Sequence, residues 1–164
     1  MTDRFKTFFS WLITWEGDTY ENDPSDSGGA TKWGIDAASH PHVDIKNLTK
    51  EQAEEIYWNE SWQAIRAEEL PLGVGEIVSD LVINTGRGHE KWLQEIAGVP
   101  QDGEIGPATI AAVNKLDRQD TIDKLLNKLT VFYHAIGVGH NQKFLHGWLN
   151  RTNDLKDFVA KLKP

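Results

Sequence analysis

The sequence predicts a mainly α-helical protein with one irregular polar loop or small β-hairpin near its N-terminus. Three observations carry this. Apolar residues recur at three- and four-residue spacing through most of the chain, the period of helices buried on one face. Start and stop signals punctuate those stripes: Thr49-Lys50-Glu51-Gln52 reads as a capping box, Gly106-Pro107 sets a proline in a first turn, and Gly17, Gly86, Gly98 and Gly137 stand where stripes end. Between positions 18 and 36 the pattern breaks, and Pro24, Gly28, Gly29, Gly34 and four Asp crowd together.

The first helix carries Phe5, Phe8, Phe9 and Leu12 on one face, and Glu16 continues that face up to the stop at Gly17. The segment to Asp36 is expected to hold turns and a short hairpin. A second helix opens at Thr49, turns Ile56, Tyr57 and Ile65 to the core, and is closed by Pro71. A third is expected over about 74–83 and a fourth over about 89–97. The fifth starts at Pro107 with Ile110, Val113 and Leu116 inward, and the sixth carries Ile122, Leu125, Leu126, Leu129, Phe132 and Tyr133. The last is expected from about Trp148, through Leu155, Phe158, Val159 and Leu162. No repeat or low-complexity tract interrupts the 164 residues, which read as one domain.

Composition excludes several classes of function. With 39% hydrophobic and 26% charged residues the chain is globular rather than disordered. A net charge of −8 argues against a nucleic-acid partner and gives no general attraction to anionic membranes. No stretch approaches the roughly 20 apolar residues that span a bilayer, so no stable membrane insertion is expected. The N-terminal apolar run is short and lacks a small-residue cleavage site, so no signal peptide is expected. The absence of cysteine excludes disulfides and thiolate metal sites, and fits synthesis in a reducing cytosol. Seven tryptophans either fill the core or line a cleft that stacks sugars.

Glu16 is the first candidate for chemistry. A carboxylate at the end of an apolar stripe is drawn partly out of water, which is the setting of a general acid. It is equally a place for a solvated side chain on a frayed helix end. Asp23 and Asp26 follow in the loop, with Thr31 beyond them, and glycines could fold any of these back toward Glu16. Paired carboxyl groups cleave glycosidic bonds when about 5–5.5 Å apart with a covalent intermediate, or about 6.5–9.5 Å apart with a direct water attack. A threonine hydroxyl beside an aspartate could orient that water. Alternatively these aspartates simply close their own turns. Asp23 and Asp26 lack EF-hand spacing, and His40, His42, His89, His134, His140 and His146 form no zinc-enzyme motif, so no metal and no cofactor is expected. Ser25 and Ser27 lack the context of an activated nucleophile.

Glu16-Gly17, Tyr20, Asn22-Asp23-Pro24, Asp26, Gly28-Gly29, Thr31 and Gly34-Ile35 together resemble the signature of the family 108 glycosyl hydrolases. The resemblance continues through Ile56-Tyr57 and Trp62. Further on, Asn84-Thr85-Gly86, Leu93-Gln94, Asp102 to Pro107, Thr109, Phe144, Gly147-Trp148 and Asn150-Arg151 resemble the companion peptidoglycan-binding segment. It covers nearly the whole chain. It implies a lysozyme-like single domain, with a catalytic half over 1–70 and a helical peptidoglycan-binding half over 71–164. It implies a phage-type endolysin that cleaves peptidoglycan between N-acetylmuramic acid and N-acetylglucosamine, acting as a monomer after the membrane is permeabilised. Glu16 takes the place of the family's catalytic glutamate. Asp26 and Thr31 would support the water or the developing charge, and Tyr20, Tyr57 and Asn84 would line the glycan cleft. The family motif Glu-Gly-Gly-Tyr is longer here by one residue, reading Glu16-Gly17-Asp18-Thr19-Tyr20. A lytic transglycosylase and a non-catalytic wall-binding or secretion-accessory protein are the alternatives.

Overall fold

A computed structural model describes residues 1–22 and 28–163. Among them are seven α-helices and one two-stranded antiparallel sheet. The chain divides into two compact units, Met1–Glu60 and Ser61–Pro164.

The first unit is built on helix α1, Asp3–Glu16. Thr2 caps its start, with its hydroxyl oxygen accepting from the Phe5 N–H at 3.2 Å. Such a cap contributes about 1 kcal/mol. Gly17 ends the helix at φ +70°, a backbone conformation that residues with a Cβ resist. The predicted stripe of Phe5, Phe8, Phe9 and Leu12 is buried. Each such side chain contributes roughly 1.5–3 kcal/mol on leaving water. Strands β1 (Thr31–Lys32) and β2 (Ile35–Asp36) form the expected hairpin, with Thr31 opposite Asp36 and Lys32 opposite Ile35. Ile35 points to the core. Helix α2, Lys50–Tyr57, opens with the predicted box: the Thr49 hydroxyl accepts from the Gln52 N–H, and the Gln52 side chain accepts from the Thr49 N–H. Tyr57 packs on Phe9, with ring centres 6.1 Å apart, and Trp58 meets Phe5 edge-on at 5.0 Å.

The helix at α2 is shorter than its sequence suggests. It widens into a π-helical turn over Trp58–Gln63, so Ile65 is buried beyond the helix and Ile56 is only half-buried. The wider turn changes the inward face and lets two consecutive residues, Ser61 and Trp62, both bury.

The second unit is centred on α3, Val74–Thr85, whose residues from Val74 to Val82 are all buried. A helix covered on every side must satisfy its polar groups internally. Glu76 accepts from the Gly73 N–H at 2.7 Å, and Asp80 pairs with Arg151. Helices α6 (Arg118–Ile136) and α7 (Gln142–Lys161) pack on each other and on α3, while α4 (Lys91–Ala97) packs on α5 (Pro107–Val113) and on α6. Burial pushes the Tyr133 hydroxyl of α6 up to about 12, helped by the charge of Asp80 and opposed by that of Arg151.

Two helix starts depart from expectation. Helix α4 begins at Lys91 rather than His89, because His89 and Glu90 form the turn that leads into it. Helix α7 begins at Gln142, well before Trp148. Its inward stripe runs through polar Arg151 and Thr152, which hides the helical period from a purely apolar reading.

Candidate active site

Glu16 is the last residue of α1 and is half-buried. From Gly17 to Tyr20 the chain is exposed, and it rejoins regular structure at Glu21, which exchanges two backbone hydrogen bonds with Thr31 at 2.8 and 2.9 Å. Asp18-Thr19 therefore falls in an exposed span ahead of that bridge. Thr31 is the middle of three paired segments, bonded to Glu21 on one side and opposite Asp36 on the other.

The hairpin turns through Trp33 and Gly34, both in the left-handed region at φ +55° and +73°. This is the two-residue turn whose twist matches paired strands. A bulky residue there is strained by about 1–3 kcal/mol. The Tyr57 hydroxyl holds the turn by donating to the Trp33 carbonyl at 2.9 Å. Gly34 is needed for a second reason. A Cβ at that position would fall 2.5 Å from Glu16 Oε2 and 2.8 Å from its carboxyl carbon, and would also strike the Tyr57 hydroxyl. Those distances are far inside van der Waals contact. The backbone of Gly34 thus lies directly against the Glu16 carboxylate and Tyr57.

Glu16, Gly34 and Tyr57 thus converge within the first unit. A carboxyl group fixed by neighbours on a helix end and a turn can deliver a proton along a defined direction. Thr31 is half-buried in β1, with its hydroxyl a long 3.5 Å from the Gly29 carbonyl. Asp26 lies outside the described residues. Tyr20 is 37% exposed, as is Trp15 beside Glu16, so both offer aromatic surface. Tyr57 is only 5% exposed, so it supports the turn more than it faces solvent. Asn84 belongs to the second unit, exposed at the end of α3.

A described acid that the sequence reading passed over is Asp36, opposite Thr31. Burial raises its carboxyl, but the Ser39 N–H at 2.8 Å, the Ser39 hydroxyl and His40 together hold it below the usual range. It is an ionised turn-holder, and the His40 ring lies between the Asp36 carbonyl and the Glu60 carboxylate at 3.2 and 3.0 Å. Trp33 and Gly34 also escaped a specific role, although an X-Gly pair between two short strand segments is a hairpin signal. Among the described residues, no group of three or more His, Asp or Glu is placed to hold a metal ion.

In the second unit the loop from Asp102 to Pro107 is organised by buried Gln94. Its amide nitrogen donates to Asp102 at 2.6 Å and to the Glu104 carbonyl at 3.1 Å, and its oxygen accepts from the Gly103 N–H at 2.8 Å. That bond from Gln94 is the main reason Asp102 sits below the usual carboxylate range. The sequence motif around Leu93-Gln94 and Asp102-Gly103 is therefore one folded unit.

Comparison with known proteins gives this geometry a setting. Residues 9–86 match the model of glycosyl hydrolase 108, and residues 89–153 match that of a predicted peptidoglycan domain. The structure of SagA from Brucella abortus is similar to this chain at 31% sequence identity, over 95% of this chain and 93% of that one, with a TM-score of 0.82. No curated protein matches the sequence. A glycoside hydrolase segment followed by a peptidoglycan segment supports a peptidoglycan hydrolase with a mainly α-helical, lysozyme-like fold. Among the described residues, no helix is long and apolar enough to cross a membrane. The chain belongs to the glycosyl hydrolase 108 family.

Proposed function

We propose that the chain is an N-acetylmuramidase that hydrolyses the β-1,4 bond between N-acetylmuramic acid and N-acetylglucosamine, with Glu16 as the general acid. The observation that carries this reading is the packing of the Glu16 carboxylate against Gly34 and Tyr57. Protonated Glu16 donates to the glycosidic oxygen as the bond to C1 breaks. Water then adds to C1 and gives up its proton to a carboxylate. Thr31 and Asp26 orient that water or support the oxocarbenium charge. Tyr20, Tyr57 and Asn84 contact the glycan, with Tyr57 acting mainly through the turn it holds. The catalytic half is taken as residues 1–70 and the peptidoglycan-binding half as 71–164. In the cell this is a phage-type endolysin, monomeric, that reaches the wall once the membrane is permeabilised.

The test is Glu16→Gln with mass spectrometry of digested peptidoglycan. The wild-type protein should release fragments with reducing muramic acid ends. The variant should fold with an unchanged circular dichroism spectrum and lose about 10²–10⁴-fold in rate. Substantial residual activity would sink the assignment of Glu16. Anhydro ends would indicate a lytic transglycosylase, in which the C6 hydroxyl closes on C1 and no water is used. Co-sedimentation with the wall without release of fragments would leave a non-catalytic binding protein.

A further inference from the structure

Asn84 is exposed, yet its amide group is tightly committed. Its Nδ2 donates to the Asp80 carbonyl at 2.8 Å and to Asp80 Oδ1 at 2.9 Å. Asp80 itself is 1% exposed, and its Oδ1 also accepts from Arg151 Nη2 at 2.8 Å and Nε at 3.2 Å. The residues come from helices α3 and α7, yet share a single carboxylate oxygen.

The orientation of the Asn84 amide follows from chemistry. A backbone carbonyl and a carboxylate paired with a guanidinium can only accept hydrogen bonds. The amide nitrogen must therefore face Asp80, and both of its hydrogens are used. Among the described residues, the side-chain oxygen of Asn84 is then the polar atom of that amide left to meet a ligand, and it can only accept. An asparagine free to flip would offer a donor or an acceptor; this one cannot choose.

We propose that Asp80 and Arg151 are positioning residues that lock Asn84 with its carbonyl oxygen outward, so that position 84 recognises a hydrogen-bond donor on the glycan. Such a donor is the N–H of an acetamido group or a sugar hydroxyl. The proposal deepens the reading of Asn84 as a glycan contact and rests on it. It also assigns the Asn150-Arg151 motif a purpose: Arg151 reaches the ligand through Asp80 and Asn84.

The experiment uses the full chain carrying Glu16→Gln, so that binding is read without turnover. Peptide-free, N-acetylated glycan strands are titrated by calorimetry. Adding Asn84→Leu should weaken binding about three- to tenfold, the effect of one hydrogen bond. Unchanged affinity would overturn the proposal. By NMR, the Asn84 side-chain amide protons should exchange slowly and hold their shifts as strands are added, while the Asn84 carboxamide carbon shifts. Amide protons that move into new hydrogen bonds with the strand would overturn the orientation. Strands O-acetylated at C6 separate a C6 hydroxyl from the other donors. If a C6 hydroxyl is the donor, the gap between the parent and Asn84→Leu closes; if the acetamido N–H or a C3 hydroxyl is, the gap persists, and both results support the acceptor role. Because the readout is binding, it stands or falls separately from the muramidase assignment, which the product analysis decides.

Discussion

The Trp33-Gly34 turn and the Asp80–Arg151 pair both fix a polar side chain that the proposed function uses, but by opposite means. At the turn, Glu16 is positioned by closeness: residue 34 has no side chain, and the backbone lies against the carboxylate. At the pair, Asn84 is positioned by attraction, through charge-assisted hydrogen bonds to a buried aspartate. The first arrangement tolerates no added atoms. The second tolerates no removed ones, because each partner left behind would be a polar group stranded out of water. The contrast predicts that the two sites fail differently: the turn should lose activity before stability, and the pair should lose stability first.

The largest expected effect is at the pair. Arg151→Met keeps much of the side-chain volume but leaves Asp80 buried without its cation. Breaking a buried pair from one side costs about 3–5 kcal/mol. For a chain of this size each kcal/mol moves the Tm by roughly 2–4 °C. Thermal unfolding should therefore fall by about 6–20 °C, and a second change, Asp80→Leu, should restore part of it. A Tm within a degree or two of wild type would mean that Asp80 is satisfied without Arg151, and the contrast between the two sites would collapse.

Next is the turn. Gly34→Ala puts a Cβ where Glu16 and Tyr57 already sit, at a φ of +73° that alanine resists. The neighbours must shift, and a displacement of about 1 Å at a catalytic group can cost 10²-fold in rate. Wall lysis should drop by about that factor. The backbone strain, about 1–3 kcal/mol, should lower the Tm by only a few degrees. An active Gly34→Ala protein would show that the Glu16 geometry is loose and would weaken its role as the acid.

The same contrast governs what the sequence could reveal. Local signals were legible: the Phe5–Leu12 stripe, the Thr49–Gln52 box and the stop at Gly17 each depend on residues within a turn or two of one another. The position of Glu16 at the end of that helical face was legible for the same reason. The Asp80–Arg151 pair was not, because its members stand 71 positions apart and each alone reads as an ordinary surface charge. Nor was the start of α7, whose inward stripe includes those polar residues. Gly34 was visible as a turn former, but not as the floor beneath a carboxylate, since nothing local says what will be packed against it. For Tyr57, only the fold reveals that its hydroxyl donates to the Trp33 carbonyl.

Tyr57 offers the smallest and sharpest test of the contrast, because it takes part in both kinds of restraint. Its ring packs on Phe9, its hydroxyl donates to Trp33, and that same hydroxyl is one of the atoms a Cβ at position 34 would strike. Tyr57→Phe keeps the ring and removes only the oxygen. Alone it should cost about 0.5–1.5 kcal/mol, a few degrees in Tm, with activity reduced less than tenfold as the turn loosens. Combined with Gly34→Ala the two losses should not add. Deleting the hydroxyl makes room for the new methyl group, so the double variant should be more active than the product of the single effects. Residues in contact typically show coupling of about 0.5–3 kcal/mol. Strict additivity in that cycle would mean that crowding against the Tyr57 hydroxyl contributes nothing, leaving backbone strain and the approach to Glu16 to explain why position 34 is glycine.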